Sequence, residues 1–246
     1  MAIRNLGAII IDTLRNDYIK KSFQDAGPRN YLLDLGCGIK PFRHIYNLTA
    51  KKSIGIDVAQ SPHGTNFVDI IYDGKIFPFK NNEFDIVFCS EVMEHVPDPV
   101  LFLSEINRVM QIDGKLIMTT PFLVPLHEEP YDFFRYTKYG IKELLTRAGF
   151  EVENITPFAD YFGVIIGINI QLYLKFWNIL SKLTRIKLLY SEYNPFIFLP
   201  VVIPQWLYLL YLKIPLPKGL KRYLNRTTRG YGYTAVKKRS LSDEQN

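Results

Sequence analysis

The stretch "YLLDLGCG", Tyr31 to Gly38, constrains this chain more than any other. An apolar run that ends in an acid and then in glycines reads as a buried strand turning sharply into a helix. A strand without polar alternation has both faces covered, as a parallel strand of a layered α/β domain does. Glycines at its end let the backbone come close to a ligand, and the helix that follows offers free N–H groups. Asp57 ends the next apolar run, "SIGIDV". A carboxylate at that position can accept hydrogen bonds from two ribose hydroxyls. The pattern points to a nucleotide-type ligand at the carboxyl ends of the strands.

The rest of the chain continues the alternation. "TNFVDIIYD" (65–73), "FDIVFCS" (84–90), "LIMTTPF" (116–122), "FEVENITPF" (150–158) and "RGYGYTAVKK" (229–238) read as five further strands. A helix is expected from Asp98-Pro99 to about Gln111, with Leu101, Ile106 and Val109 inward and Pro99 where helices accept proline. "DGK" (113–115) reads as a turn, and Thr137 as the cap of a helix that stops at Gly149. An amphipathic N-terminal helix would carry Leu6, Ile10, Leu14 and Tyr18 on one stripe. Together these predict an α/β, Rossmann-like, doubly wound fold with a seven-stranded, mostly parallel sheet. With 246 residues and 48% hydrophobic side chains, the chain can bury a sizeable core and is not a disordered sequence. Cys37 and Cys89 lie in apolar, strand-like contexts, which suits a reducing cytosol rather than a disulfide framework. The N-terminus shows no secretory apolar region.

One region does not fit the alternation. "YNPFIFLPVVIPQWLYLLYLK" (193–213) has 20 uncharged residues from Tyr193 to Leu212, close to the ~20 that cross a bilayer. Pro195, Pro200 and Pro204 are expected to interrupt it, because each removes a backbone donor. Lys213, Lys218, Lys221, Arg222, Arg226, Arg229, Lys237, Lys238 and Arg239 follow without an acidic residue. Such a run attracts an anionic membrane surface. The last strand must rejoin the sheet, so both ends of the insert lie on one side of any membrane, and a single crossing is excluded. The expected division is a core of residues 1–158 and 226–240 with an apolar, then basic, helical insert at 159–225, as a membrane contact or a substrate cap. The expected location is cytoplasmic, peripheral on the inner face of the membrane.

The glycine turn departs from the dinucleotide fingerprint, because Pro41 stands where a third glycine would be. Taken in order, "LLDLGCG", "IGIDV", "FPFKNNEFDIVFCSEVMEHVPDP" and "INRVMQIDGKLIMTTP" resemble class I S-adenosylmethionine-dependent methyltransferases. The resemblance covers about residues 30–155 and the last strand. It implies S-adenosylmethionine as cofactor, with Asp34, Gly36 and Gly38 lining its methionine and ribose part and Asp57 on the ribose hydroxyls. Asp73 would face the adenine amino group, with Asp69 as the competing choice, and Ser90 and Glu91 would sit beside the sulfonium. Lys40 stands where many members carry another glycine.

"PFLVPLHEEPYDFFRYT" (121–137) follows the fifth strand. If the acceptor is a hydroxyl, His127 is the candidate base and Glu128 the group that orients it. "HEEPYDFFRYT" with "LLTRAGF" is similar to methyltransferases encoded with bacterial surface-glycan genes. This implies transfer to a glycan or lipid-linked glycan precursor, as O-methylation. The alternatives are a quinone-like or isoprenoid precursor, or a non-catalytic, membrane-associated module that binds the cofactor. Glu91, Glu94 and His95 also resemble the metal-binding residues of some ubiquinone-pathway O-methyltransferases. The same "EHVPDP" is common in relatives without an evident metal, where the histidine fixes a loop, so no metal is assigned. The fourth strand ends in "CSEV", without the Asn/Asp-Pro-Pro-aromatic motif of enzymes that methylate base amines, and nucleic acid is not expected as a partner.

Overall fold

A computed structural model describes residues 7–186 and 194–241. Leu6 of the N-terminal stripe and Tyr193 at the head of the apolar run lie outside the described residues. The chain divides into two compact units. One is Asp17–Thr156 with the segment from Gly230 onward; the other is Pro157–Arg229 with the described residues through Asn16.

In chain order the elements are α1 (Ile9–Ala26), β1 (Arg29–Leu35), α2 (Arg43–Tyr46), β2 (Ala50–Val58), β3 (Ile70–Tyr72) and β4 (Phe84–Ser90). A 3-10 turn (Met93–His95) precedes α3 (Pro99–Val109), β5 (Met110–Pro121), α4 (Lys138–Arg147) and β6 (Phe150–Phe158). Then come α5 (Tyr161–Thr184), α6 (Pro195–Tyr211), α7 (Lys218–Leu224) and β7 (Gly230–Lys237).

The seven strands form one sheet in the order β3-β2-β1-β4-β5-β7-β6. β1 pairs in parallel with β2 and β4, and β4 with β5, whereas β7 runs antiparallel to β5. The expected fold class is therefore observed. The central position of β1 explains its unbroken apolar run: Leu32, Leu33 and Leu35 are fully buried. Each such side chain contributes about 1.5–3 kcal/mol by leaving water. Helix starts follow their caps. Asp98 Oδ1 accepts from the Leu101 N–H at 3.0 Å, and Thr137 Oγ1 accepts from the Gly140 N–H at 3.1 Å.

Two expectations needed revision within the sheet. The third strand is confined to Ile70–Tyr72 instead of filling 65–73. "DGK" does not separate α3 from a strand; it lies inside β5, where the register jumps from Phe84↔Met110 to Ile86↔Lys115. Asp113 takes φ 59° in that bulge, so the local turn chemistry is present but the strand closes around it.

In the second unit, α5 and α6 pack as an antiparallel pair. Tyr208 lies against Gly163 at one end, and Ile197 and Val201 pack on Ile170 and Leu174 further along. Asp160 fastens the pair at its base. Its Oδ1 caps α5 through the Phe162 and Gly163 N–H groups and accepts from the Tyr208 hydroxyl at 3.0 Å; Oδ2 accepts from the Tyr211 hydroxyl at 3.1 Å. Contrary to expectation, Pro200 and Pro204 do not break the apolar run, since both lie inside α6. Pro200 has no N–H for the Phe196 carbonyl four residues back, and the Tyr173 hydroxyl of α5 donates to that carbonyl instead. The outer surfaces stay apolar: Leu172, Phe176, Leu199, Trp206 and Leu207 are all exposed. By length and composition α5 could cross a membrane.

Candidate functional site

The candidate site is built where β1, β2, β4 and β5 end. After Leu35 the backbone turns through Gly36 (φ +62°) and Gly38 (φ +48°). A Cβ on Gly36 would lie 2.4 Å from Val92 Cγ2, so glycine is required there for space as well as for conformation. Asp57 ties this turn to β2. Its Oδ2 accepts from the Gly38 N–H at 2.9 Å and the Ser61 hydroxyl at 3.1 Å, and Oδ1 from the Val58 N–H at 2.7 Å. An ionised carboxylate offers about four acceptor sites. Three donors are already in place, so the loop must yield a bond for Asp57 to hold two hydroxyls at once.

Asp34 is buried beneath the turn. Burial pushes its carboxyl up to about 7; the Tyr46 hydroxyl and Lys40 oppose this, while Asp57 and Asp69 add to it. Lys40, at the position where a glycine is common, salt-bridges Asp69, whose Oδ2 also accepts from the Gly55 N–H at 2.7 Å. Burial opposes ionisation of Asp69, but these partners outweigh it and hold its carboxyl low. Asp73 is exposed and caps a turn, accepting from the Lys75 N–H at 2.8 Å and the Ile76 N–H at 3.1 Å. Those bonds lower its carboxyl below the usual range. At the end of β4, Ser90 Oγ lies 2.9 Å from Thr119 Oγ1, which donates to Glu91 Oε1 at 2.9 Å. Glu91 adopts φ 55°.

The loops after β4 and β5 meet in a second cluster. The backbone N–H groups of Phe133 and Phe134 donate to the Glu94 carbonyl, and the Tyr136 hydroxyl to the Met93 carbonyl. His95 Nε2 is 3.6 Å from Glu94 Oε1 and 3.7 Å from Glu128 Oε2. His127 Nε2 is 3.8 Å from Glu94 Oε1, and its Nδ1 is 3.3 Å from Asp132 Oδ2. Glu94 chiefly, with Asp132 and the Pro125 carbonyl, raises the His127 imidazole above its ordinary value against the effect of burial. Arg135 pairs with Asp132 and pulls its carboxyl down to about 2.

The expected orientation of His127 by Glu128 is replaced by different pairings. Glu128 faces His63 and His95, and the carboxylates near His127 are Asp132 and Glu94. The pairing of Asp132 with Arg135, three residues on in the same loop, was within reach of sequence reading. The approach of Glu94 to His127 was not, because it joins segments from different strands.

Residues 33–118 match the family model for a methyltransferase domain. The chain is 27% identical over 121 residues to the ubiquinone biosynthesis O-methyltransferase of Dechloromonas aromatica, covering 45% of this chain and 51% of that one. It is 24% identical over 174 residues to the protein of the same name from Nitrosococcus oceani, covering 59% and 73%. The chain thus spans about half the length of the first of these curated relatives. Among solved structures, the [4+2]-cyclase SpnF superposes with a TM-score of 0.54 at 18% identity, covering 90% of this chain and 80% of that one. The Haemonchus contortus phosphoethanolamine N-methyltransferase 2, in complex with S-adenosyl-L-methionine, superposes at 0.50 with 16% identity, covering 87% and 50%. At such identities the shared property is the fold.

Proposed function

We propose that this chain, whose core is a class I S-adenosylmethionine-dependent methyltransferase domain, transfers the methyl group of S-adenosylmethionine to a hydroxyl of a glycan or lipid-linked glycan precursor. The observation that carries the transfer reading is the Gly36–Gly38 turn, bonded to Asp57 within the stretch that matches the domain family. In this reading Asp34, Gly36, Gly38, Asp57 and Asp73 hold the cofactor, and Ser90 and Glu91 stand beside its sulfonium.

The reaction is an in-line displacement. The acceptor oxygen bonds to the methyl carbon, the carbon–sulfur bond breaks, and S-adenosylhomocysteine leaves. The sulfonium already carries the activation, so the protein mainly positions donor and acceptor. The acceptor proton goes to the His127–Glu128 loop.

A membrane-near acceptor is supported by the exposed apolar faces of α5 and α6 and the basic residues that follow them. In this reading the protein is cytoplasmic and binds peripherally to the inner membrane face. A second reading, methylation of a quinone-like or isoprenoid precursor, is favoured by the likeness to ubiquinone biosynthesis O-methyltransferases.

The test is transfer of radiolabelled methyl from S-adenosylmethionine to three acceptor sets: undecaprenyl-linked glycans, free glycans, and hydroxylated quinone precursors. Label in the first set supports the leading reading, and label only in the third replaces it with the second. Cofactor binding without label in any set would reduce the protein to a binding module.

A further inference from the structure

We propose that Glu94, His95 and His127 form a binding site for a divalent transition-metal ion, with Zn²⁺ the best chemical match. Glu94 is the starting point. Its side chain is fully buried, and neither carboxylate oxygen has a hydrogen-bond partner. A buried carboxylate in that state is costly unless a cation meets it.

Two imidazole nitrogens face it. His95 Nδ1 is 2.8 Å from the Tyr131 carbonyl oxygen, which can only accept, so Nδ1 carries the proton and Nε2 presents its lone pair. His127 Nδ1 lies 3.3 Å from the Pro125 carbonyl oxygen and from Asp132 Oδ2 and 3.4 Å from Arg135 Nη2, and its Nε2 faces Glu94 Oε1. Glu94 Oε1 and the His95 Nε2 lone pair, both electron-rich, face one another 3.6 Å apart, an arrangement that a cation between them would relieve. A histidine whose far nitrogen is held by a carbonyl or carboxylate is the usual outer arrangement of a metal ligand.

The spacing fits. Bonds of about 2.0–2.1 Å in a tetrahedral Zn²⁺ site set ligand atoms roughly 3.3–3.4 Å apart. Glu94 Oε1 is 3.6 Å from His95 Nε2 and 3.8 Å from His127 Nε2, and all three donor atoms lie within 4.8 Å of one another. Closure therefore needs shifts of a few tenths of an ångström on those two edges, and the two imidazole nitrogens draw together from within 4.8 Å. The Phe133, Phe134 and Tyr136 hydrogen bonds to the Met93–Glu94 backbone already bring the two loops together.

Three protein ligands leave one position open, as in catalytic rather than structural zinc sites. Bound there, the ion supplies Lewis-acid polarisation of an acceptor hydroxyl. His127 then serves as a ligand, and Glu128 is the member of the His127–Glu128 loop left to take the proton. Glu91 is not part of this set, because it accepts from Thr119. The donor set thus differs from the acid–acid–histidine pattern read in the sequence, and it includes a histidine from the loop after β5.

The experiment uses the full chain stripped with chelator, without cofactor or acceptor. Zn²⁺ is titrated by calorimetry, and Co²⁺ by its visible absorption bands. One ion per chain is expected, with intense Co²⁺ bands of low coordination number. Glu94→Gln and His127→Gln should each weaken binding by at least about 100-fold, beyond the 10–100-fold expected for the outer-partner variant Asp132→Asn. His44→Gln, at a remote histidine, should leave it unchanged. Thermal melts check that each variant is folded; any that is not is replaced by Glu94→Asp or His127→Asn. No saturable one-to-one binding by the unsubstituted protein, or equal affinity in folded Glu94 and His127 variants, would overturn the site. Because the readout is metal binding alone, failure here is distinct from failure of the methyl-transfer reading.

Discussion

Asp34→Asn should change how stability depends on pH. Asp34 is buried, with its carboxyl raised from 3.8 to about 7, chiefly by desolvation. A group whose folded pKa exceeds its unfolded value binds more protons in the folded state. Its contribution is therefore present below pH 3.8 and is lost as pH rises to about 7. At about 1.4 kcal/mol per unit, a shift of this size corresponds to about 4 kcal/mol across the window. Asparagine keeps the shape and cannot ionise. The assay is urea denaturation of both proteins, without cofactor, at half-unit steps from pH 4 to pH 8. The quantity of interest is the stability of the wild type minus that of the variant, which removes the titration of every other group. It should fall by about 4 kcal/mol towards pH 8, so the variant gains relative stability in alkaline buffer while losing cofactor affinity. Parallel pH curves would refute the reasoning, because they would mean that Asp34 titrates alike in the folded and unfolded chain.

Gly36→Ala meets Val92 and demands φ +62° of a residue with a Cβ, which alone costs about 1–2 kcal/mol, so calorimetry should show S-adenosylmethionine binding at least about 10-fold weaker. Adding Val92→Ala should recover only the part due to the clash. Asp160→Ala removes the α5 cap, about 1 kcal/mol, and leaves the buried Tyr208 hydroxyl short of a partner, about 1–3 kcal/mol more. Hydrogen exchange should quicken across Tyr161–Thr184, and unchanged protection would contradict the fastening role. Trp206→Glu with Leu207→Glu replaces two exposed side chains of α6. The wild type should sediment with phosphatidylglycerol vesicles and the double variant stay in the supernatant, with roughly 100-fold or greater loss of partitioning at ~1.5–3 kcal/mol per residue. Equal sedimentation would remove α6 from the membrane contact.

The sequence by itself determined the parts that rest on neighbours a few residues apart. The runs at Tyr31–Leu33 and Ile86–Cys89 are apolar without alternation, and each became part of a strand buried on both faces. Asp98 and Thr137 announced their helices because a cap acts over three residues. The glycine turn and Asp57 were legible for the same reason: the ends of consecutive strands carry them.

Tertiary structure decided what depends on which strands lie side by side. Nothing local to "DGK" shows that β4 will pair across it and absorb it as a bulge. Pro200 reads as a helix breaker until Tyr173, from another helix, supplies the donor for the carbonyl it leaves unpaired. The antiparallel β7 between β5 and β6 follows from the sheet order, which no periodicity encodes. Glu94 and His127 are 3.8 Å apart because β4 and β5 are parallel neighbours, so the loops leaving their carboxyl ends converge. Periodicity and caps record which face of an element is covered and where it begins. The meeting of two charged side chains across distant segments is fixed only when the backbone hydrogen bonds of the sheet set strand order and register.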